Sequence, residues 1–178
     1  MRIVAGRWRG RRIGVPAGLD IRPTADRVRE AWMSIIQHDI PGARVLDLFA
    51  GTGALGIEAL SRGAEHADFV EQSTASIDVL RKNLETVGAG AAASVHRADA
   101  LKFIERLAAA TYEITFADPP YRQGLATALV ERWLSTPFSR ILGVEHESTE
   151  QLPPGGEVRR YGSTAISFYR REGAPQSG

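Results

Sequence analysis

The sequence predicts an α/β fold in which helices cover a mostly parallel sheet. From about residue 43, short β-branched or apolar runs alternate with helix-like stretches, the order expected of parallel strands joined by helical crossovers. The chain has 178 residues, with 43% hydrophobic and 24% charged residues, which is typical of one compact domain. We therefore expect a single domain over 1–178, with a sheet core at 43–171 and a basic arm at 1–22.

Two elements precede this alternation. The segment RIVAGRWRGRRIGV can form a small twisted β-hairpin, and residues 24–38 have the periodicity of an amphipathic helix. Arg27 and Arg29 lie off the apolar stripe of that helix. The stripe consists of Val28, Ala31, Trp32, Ile35 and Ile36.

The alternating region predicts five strands and four helices. The strands lie near 43–48, 67–71, 92–96, 112–117 and 139–145. The helices lie near 54–62, 74–87, 99–109 and 123–134. Asp99 is a candidate helix N-cap, and Gly63 and Gly88 are candidate helix ends.

The last predicted element is an antiparallel hairpin at the edge of the sheet. It follows the turn-forming run Pro153-Pro154-Gly155-Gly156 and has the sequence EVRRYGSTAISFYRR. Gly162 and Ser163 separate its two β-rich halves, as a tight hairpin turn requires.

The net charge of +1 conceals a strong asymmetry along the chain. Residues 1–29 hold eight arginines against two aspartates, a net charge of +6, which leaves −5 for residues 30–178. A basic end on an acidic body suggests that a polyanion binds at one end while another ligand binds the body.

Composition also excludes several classes of protein. Cysteine is absent, which rules out disulfides, thiolate metal sites and cysteine nucleophiles and favours a reducing compartment. No stretch approaches the roughly 18 consecutive apolar residues of a membrane span, and the N-terminus lacks the apolar core of a signal peptide. The four histidines show no metal-ligand spacing. We therefore expect a cytoplasmic protein that has no membrane span and no metal.

A glycine-rich turn carries the first functional signal. The segment VLDLFAGTGALG at 45–56 is a strand that runs into a G-x-G-x-x-G turn at the start of a helix. Glu71 follows Gly51 by 20 residues, at the end of the next strand, where an acidic side chain can bind ribose hydroxyls. The alternative is a tight strand-to-helix turn without a ligand, but the surrounding strand, helix and acid favour binding.

Asp47 indicates which ligand the turn binds. Its carboxylate faces the occupant of the glycine turn and would repel a pyrophosphate. A ligand with an ammonium, a sulfonium and no phosphate would be attracted, and S-adenosylmethionine has this charge pattern. Asp99 lies where it could contact an adenine amino group, although a role as helix N-cap is equally open.

The turn Asp118-Pro119-Pro120-Tyr121 carries the second functional signal. It follows the carboxyl end of the fourth predicted strand. Because the carboxyl ends of parallel strands lie at one edge of the sheet, this turn should lie near the glycine turn. Two prolines fix the backbone and thereby position Asp118 and Tyr121. Hydrogen bonds from an exocyclic base amine to the Asp118 carboxylate and the Pro119 carbonyl would localise the nitrogen lone pair for methyl transfer, and Tyr121 could stack on a flipped-out base. The alternative is an ordinary proline turn.

With these residues in view, the chain resembles class I methyltransferases, and more closely the RsmD family of bacterial 16S rRNA guanine-N2 methyltransferases. The resemblance covers almost the whole chain and is carried by RIVAGRWRGRRI (2–13), RPTADRVREA (22–31), VLDLFAGTGALGIEALSRGA (45–64) and DPPY (118–121). One departure is Trp32-Met33-Ser34, where family members often have a Phe-Asn pair.

The resemblance implies a Rossmann-like, seven-stranded mixed sheet flanked by helices, with S-adenosylmethionine as the methyl donor. It implies that the substrate is one guanine of 16S rRNA, presented in an assembling 30S subunit, and that a monomer suffices for the chemistry. The implied catalytic residues are Asp118, Pro119 and Tyr121. The implied cofactor-binding residues are Asp47, Phe49, Gly51, Gly53, Glu71, Asp99 and Ala100.

The arginine-rich arm is the expected RNA-binding segment. Its composition looks too polar for a core, and phosphate contacts from it would supply affinity with little sequence selectivity. Trp8 could either stack on an unpaired base or anchor the arm to the body. The predicted RNA-binding residues are Arg7, Trp8, Arg9, Arg11, Arg12, Arg22 and Arg27.

Three other functions are weighed against this one. An amino methyltransferase of another RNA or of DNA remains open, since DPPY also serves adenine and cytosine, although the chain lacks room for a separate DNA-recognition domain. Asp47 and DPPY disfavour a nicotinamide-dependent oxidoreductase. An intact amine site disfavours a catalytically silent RNA-binding module.

Overall fold

A computed structural model describes residues 1–18 and 23–171 of the chain. The helices are α1 (Pro23–Ile35), α2 (Ala54–Ser61), α3 (Thr74–Val87), α4 (Ala100–Glu105) and α5 (Leu125–Ser135). The strands are β1 (Arg44–Leu48), β2 (His66–Glu71), β3 (Ala93–Arg97), β4 (Tyr112–Ala117), β5 (Ser139–Glu147), β6 (Glu157–Tyr161) and β7 (Thr164–Arg170). These bounds agree closely with the prediction, except that α1 ends three residues earlier, α4 is shorter and β5 extends two residues further.

The seven strands form one mixed sheet in the order β3-β2-β1-β4-β5-β7-β6. Strands β1 to β5 pair in parallel, whereas β7 pairs antiparallel with both β5 and β6. The terminal hairpin therefore joins the sheet edge, as predicted. The strand order reverses at β1, so its carboxyl end and that of β4 flank the switch point where open α/β sheets bind ligands.

Local sequence explains where the helices begin and end. Ser73 caps α3 by accepting a hydrogen bond from the Ser76 N–H at 3.3 Å, and Gly88 closes the helix in a left-handed conformation. Asp99 caps α4 by accepting from the Lys102 N–H at 3.0 Å, which confirms its predicted structural role.

Apolar side chains fill both faces of the sheet. One face packs Phe69 and Phe116 against the arm and α1 to α3. The other packs Leu46 and Leu142 against α4 and α5, where Trp133 is buried. Since the central parallel strands are covered on both sides, the site described below rests on a rigid support.

The arm is less regular than a hairpin but is built into the core. Its two sides meet at a single bridge between Arg2 and Arg12, supported by a 3.0 Å hydrogen bond from the Ile3 N–H to the Arg11 carbonyl. Ile3, Trp8 and Ile13 are buried. The expectation that this segment is too polar to pack is therefore wrong, because its few apolar side chains all point inward while the arginines point outward.

Two buried polar side chains hold the arm on the body. The carboxylate of Glu58, on α2, accepts hydrogen bonds from the backbone N–H groups of Val4 and Ala5 at 3.1 to 3.2 Å and pairs with Arg62 at 3.1 Å. The amide of Asn83, on α3, accepts from the Gly14 N–H at 2.7 Å and donates to the Gly14 and Thr52 carbonyls. Asn83 therefore connects the arm to the glycine turn.

Helix α1 buries more than its predicted stripe. Val28, Trp32 and Ile36 are buried as expected, and Met33 is buried beside them. Arg29 is also buried: it pairs with Asp26 at 3.3 Å and donates to the Arg2 carbonyl at 3.1 Å. The prediction that Arg29 lies away from the packed face is wrong, because Asp26 and the arm carbonyl together satisfy part of its guanidinium.

Candidate active site

Two adjoining cavities open at the carboxyl ends of the parallel strands, and Phe49 lines both. The first has a volume of about 230 Å³ and the second about 480 Å³. The first contains Asp47, Gly51, Asp118 and Glu145, and the second contains Glu71, Asp99, Ala100 and Pro120. The structure thus brings both predicted functional motifs into one continuous cleft.

The glycine turn has the backbone conformation that its sequence predicts. Gly53 has a φ of +82°, and a Cβ at this position would lie 2.3 Å from the Leu80 side chain. Phe49 also has a positive φ of +55°, which is uncommon for a residue with a side chain. A backbone held in this way at a ligand cleft is typical of a functional turn.

Asp47 is buried beneath the turn. Its Oδ2 atom accepts a 2.9 Å hydrogen bond from the Gly56 N–H at the start of α2. Burial raises the pKa of Asp47, and the negative charges of Asp118 and Glu71 raise it further, although the Gly56 hydrogen bond opposes them. A cation bound in the first cavity would relieve this accumulation of negative charge.

Glu71 is held by backbone donors at the end of β2. Its Oε2 accepts from the Gly51 N–H at 2.8 Å, and its Oε1 accepts from the Gln72 and Ser73 N–H groups at 2.8 and 2.9 Å. A carboxylate has about four lone-pair sites, so one site on Oε2 stays available for a hydroxyl donor. The side chain is therefore oriented before any ligand arrives.

Asp99 and Ala100 line the second cavity with Glu71. The helix-capping hydrogen bond uses the Oδ1 atom of Asp99, so the N-cap role leaves the Oδ2 atom for a second contact. The two roles that the sequence left open for Asp99 are thus compatible.

The DPPY turn lines both cavities, through Asp118 in the first and Pro120 in the second. Asp118 is accessible to solvent but lies within the concave cleft, where surrounding protein displaces bulk water and raises the pKa of Asp118 to about 6. Pro119 is buried. The Tyr121 hydroxyl lies 3.3 Å from Glu145 Oε1 and 3.2 Å from the Thr164 hydroxyl, and burial raises the pKa of Tyr121 to about 12.

Sequence reasoning missed Glu145, the acid on β5 that lines the cavity beside Asp118. Burial, followed by the negative charge of Asp118, raises the pKa of Glu145 to about 8, while the Tyr121 hydrogen bond lowers it. One signal could have found it, since β5 is another parallel strand with an acid near its carboxyl end. Asp26 and Arg29, which line the same cavity from α1, were also not assigned to it.

The predicted RNA-binding residues differ in their surroundings. Arg7, Arg9, Arg11, Arg12 and Arg27 are exposed. Arg11 donates to the Val87 carbonyl at the end of α3, at 3.1 Å. Within residues 1–18 and 23–171, Arg9 and Arg12 make no side-chain hydrogen bond or ion pair. Arg22 lies outside the described residues.

Trp8 has the anchoring role rather than the stacking role. Its indole ring is buried in the core, and the Arg7 guanidinium lies 4.2 Å above the ring. The backbone N–H of Trp8 donates a 3.1 Å hydrogen bond to the Ser61 hydroxyl. A ring that is packed in this way cannot stack on a base without unfolding the arm. The prediction that Trp8 contacts RNA is therefore wrong.

Residues 1–18 and 23–171 contain neither a candidate metal centre nor a helix that could span a membrane. No cluster of three or more histidine, aspartate or glutamate side chains there has the geometry of a metal site. No helix in this part of the chain is long and apolar enough to cross a membrane.

Comparisons with known proteins place this cleft in a family. The profile of a family described as Conserved hypothetical protein 95 matches residues 1–170. The ribosomal RNA small subunit methyltransferase D of Escherichia coli is 37% identical over 188 residues, which cover 99% of this chain and 93% of the relative. The chain belongs to the small-subunit rRNA methyltransferase D family.

Other relatives of this methyltransferase agree with the assignment. The YlbH protein of Bacillus subtilis is 36% identical over 97% of this chain and 100% of its own length. The structure of E. coli YhhF has a TM-score of 0.83 at 37% identity and covers 97% of this chain and 98% of that one. The Thermus thermophilus RsmC methyltransferase has a TM-score of 0.67 at 21% identity, covering 89% of this chain and 46% of that chain, which supports the fold alone.

Membership in this family confirms the predicted Rossmann-like fold and S-adenosylmethionine as the methyl donor of the methyltransferase. The cleft fits this cofactor on chemical grounds. The Asp47 carboxyl group would suit a ligand that carries an ammonium and a sulfonium, and Glu71 retains an acceptor site that would suit a ribose hydroxyl. The described residues of the second cavity include no lysine, arginine or histidine that would favour a pyrophosphate instead.

Proposed function

We propose that the methyltransferase transfers a methyl group to the exocyclic N2 amine of one guanine in 16S rRNA. The observation that carries this proposal is the position of Asp118 in the same cavity as Asp47 and Gly51. An amine held by Asp118 would therefore lie next to the methionine end of a cofactor held by the glycine turn. The family name supports small-subunit rRNA as the substrate.

The glycine turn and its neighbours hold the cofactor. Gly51 and Gly53 let the backbone approach, Asp47 faces the cationic methionine end, and Phe49 lies at the junction of the cavities. Glu71 accepts a hydrogen bond from a ribose hydroxyl, and Asp99 and Ala100 contact the adenine ring. When bound, S-adenosylmethionine supplies a methyl group on a positively charged sulfur, which leaves as a neutral thioether.

The DPPY turn holds the amine. One N2–H donates a hydrogen bond to the Asp118 carboxylate and the other donates to the Pro119 carbonyl, which directs the nitrogen lone pair out of the base plane. As the new carbon–nitrogen bond forms, N2 becomes positively charged and one of its protons passes to Asp118 or to water. The pKa of about 6 suits Asp118 to accept this proton near neutral pH.

Tyr121 and the arm bind the RNA around that amine. Hydrogen bonds to Glu145 and Thr164 fix the Tyr121 ring, which presents a surface for stacking the flipped-out guanine. Arg7, Arg9 and Arg12 contact phosphates, and Arg11 and Arg27 add to the same positive surface. We further propose that the substrate is an assembling 30S subunit and that the enzyme acts as a monomer.

The test is methyl transfer from a labelled donor to 30S particles, naked 16S rRNA and DNA, followed by mapping of the modified base. We expect label on the N2 amine of a single guanine in 16S rRNA. Label on adenine or cytosine amines, or on DNA, would instead support the alternative of a different amino methyltransferase. Asp118→Asn should abolish transfer and leave S-adenosylhomocysteine affinity within about twofold of wild type, since Asp118 contacts the amine rather than the cofactor.

A further inference from the structure

A second acid stands next to the amine-binding carboxylate. Glu145, on β5, is half-buried and lines the first cavity together with Asp118. Its Oε1 accepts a 3.3 Å hydrogen bond from the Tyr121 hydroxyl, and Oε2 has no protein donor among residues 1–18 and 23–171. The cavity therefore places a second carboxyl group near Asp118, where holding one amine requires only Asp118 and a carbonyl.

We propose that Glu145 is a specificity-determining residue that accepts a hydrogen bond from the N1–H of the target guanine. This inference rests on the proposed function, since it concerns the base whose N2 amine Asp118 holds. Glu145 would bind the neighbouring ring position, and the two acids would together read the Watson–Crick edge.

The chemistry of the bases explains why two acids select guanine. Guanine presents two adjacent donor groups, N1–H and N2–H₂, so two carboxylate acceptors match it. The amine of adenine is flanked by N1 and that of cytosine by N3, and both of these ring nitrogens are acceptors. A carboxylate facing either one would be repelled and left without a partner, which costs binding energy.

The surroundings of Glu145 indicate that an N1–H donor would stabilise its carboxylate. The negative charge of Asp118 acts on Glu145, and no cation contacts the Glu145 carboxyl within the described ranges. An N1–H donor would supply the partner that the Oε2 atom lacks among the described residues. The titratable or charged groups that face it across the cavity are Asp118 and Tyr121 from the DPPY turn, Asp47 from β1, and Asp26 and Arg29 from α1.

A different role is possible for the same geometry, namely that Glu145 only orients Tyr121. The two roles make separable predictions. Removing the Tyr121 hydroxyl breaks the Glu145–Tyr121 hydrogen bond but leaves the carboxylate able to contact a base. Tyr121→Phe therefore distinguishes orientation of the ring from recognition of N1–H.

The experiment compares two RNA substrates that differ at the target base. One carries guanine and the other carries 2-aminopurine, which keeps the 2-amino group but has no N1–H. We expect wild type to favour guanine in kcat/KM by about tenfold to a hundredfold, the range typical of a hydrogen bond to a charged group. Glu145→Ala should bring the ratio close to one, because it loses the hydrogen bond to guanine N1–H and relieves the repulsion of the N1 acceptor of 2-aminopurine. Glu145→Gln keeps a carbonyl acceptor and should retain most of the preference.

Two controls complete the design. Glu147→Ala removes a neighbouring acid of β5 that pairs with Arg122 outside the cleft, and it should keep the wild-type ratio. Tyr121→Phe should also keep the preference for guanine, even if its overall rate falls. Should Glu145→Ala fail to fold, Glu145→Leu preserves side-chain volume and carries the same comparison.

The outcomes separate this inference from the proposed function. If wild type methylates N2 of guanine but Glu145→Ala keeps the full preference, Glu145 does not read N1–H. The same conclusion follows if Tyr121→Phe loses the preference as completely as Glu145→Ala. If wild type does not label N2 of guanine at all, the proposed function fails, whatever the variants do.

Discussion

The Glu71 carboxylate accepts a 2.8 Å hydrogen bond from the Gly51 N–H, which joins the end of β2 to the glycine turn after β1. Two further backbone donors, from Gln72 and Ser73, hold the other carboxylate oxygen. Glu71 therefore shapes the cleft, in addition to its proposed role as an acceptor to the ribose. A single side chain can perform both tasks because a carboxylate can accept several hydrogen bonds at once.

Glu71→Ala should weaken S-adenosylhomocysteine binding by about tenfold to a hundredfold, since it removes an acceptor to the ligand and loosens the Gly51 backbone. Calorimetric titration measures the change. Glu65→Ala, at an exposed position just before β2, is the matched control and should bind like wild type. Unchanged affinity in Glu71→Ala would show that Glu71 holds neither the turn nor the ribose.

The rate of methyl transfer should depend on pH through the two acids of the cleft. Each carboxyl accepts a hydrogen bond more strongly when it is deprotonated. The single-turnover rate should therefore fall in part as the pH drops through about 8, and further as it drops through about 6, the pKa values of Glu145 and Asp118. Glu145→Gln cannot titrate, so its rate should level off above about pH 6 to 7. A profile that is the same in Glu145→Gln and wild type would contradict this assignment.

Asp118→Asn should raise thermal stability while abolishing activity. The folded state holds the pKa of Asp118 above its ordinary value of 3.8, at about 6, so deprotonation disfavours folding. This penalty is absent well below pH 4, grows between about pH 4 and 6, and stays constant above that. Because Asp118 is accessible to solvent, we expect a gain in Tm of only a few degrees at pH 8, measured by calorimetry, and no gain at pH 3.5.

Substituting both Arg9 and Arg12 by alanine should weaken RNA binding and reduce its salt dependence. Two lost phosphate contacts should lower the slope of log affinity against log salt by about 1.4 for single-stranded RNA. Filter binding over a range of salt concentrations measures this slope. Arg159→Ala, on the edge strand β6 and paired with Glu157, is the control and should change neither quantity.

Deleting the arm would not isolate its RNA contacts. Ile3, Trp8 and Ile13 belong to the core, so removing residues 1–12 would expose apolar surface on α2 and α3. Point substitutions at exposed arginines avoid this problem. An unchanged salt slope in the double variant would show that RNA binds elsewhere.

Glu58→Ala should destabilise the fold by about 3 kcal/mol, because it leaves the Val4 and Ala5 N–H groups and Arg62 without their buried acceptor. Chemical denaturation measures the free energy of unfolding. Glu65→Ala again serves as the exposed control and should lie within about 0.5 kcal/mol of wild type. A similarly small change in Glu58→Ala would mean that the arm is held by its apolar residues alone.

Local sequence was sufficient to predict the strands, the glycine turn and the DPPY turn. Each of these elements depends on neighbours along the chain. Gly53 permits the positive φ of the glycine turn, and two following prolines fix the backbone after Asp118. The position of Glu145 depends on β5 lying beside β4, which only the strand order reveals. The burial of Trp8 and the roles of Glu58 and Asn83 likewise depend on contacts between residues more than 50 positions apart.

The way the arm docks has a consequence for protein engineering. Glu58 and Ser61 hold the arm through hydrogen bonds to backbone groups of residues 4–8. These hydrogen bonds do not depend on which side chains those positions carry. Gly6 is the exception, because a Cβ there would lie 1.9 Å from the Ser61 carbonyl oxygen. Arg9 and Arg12 are exposed and make none of these bonds, so they are open to redesign. A library varied at these two positions would tune the affinity for RNA and its salt dependence while keeping one unaltered catalytic centre.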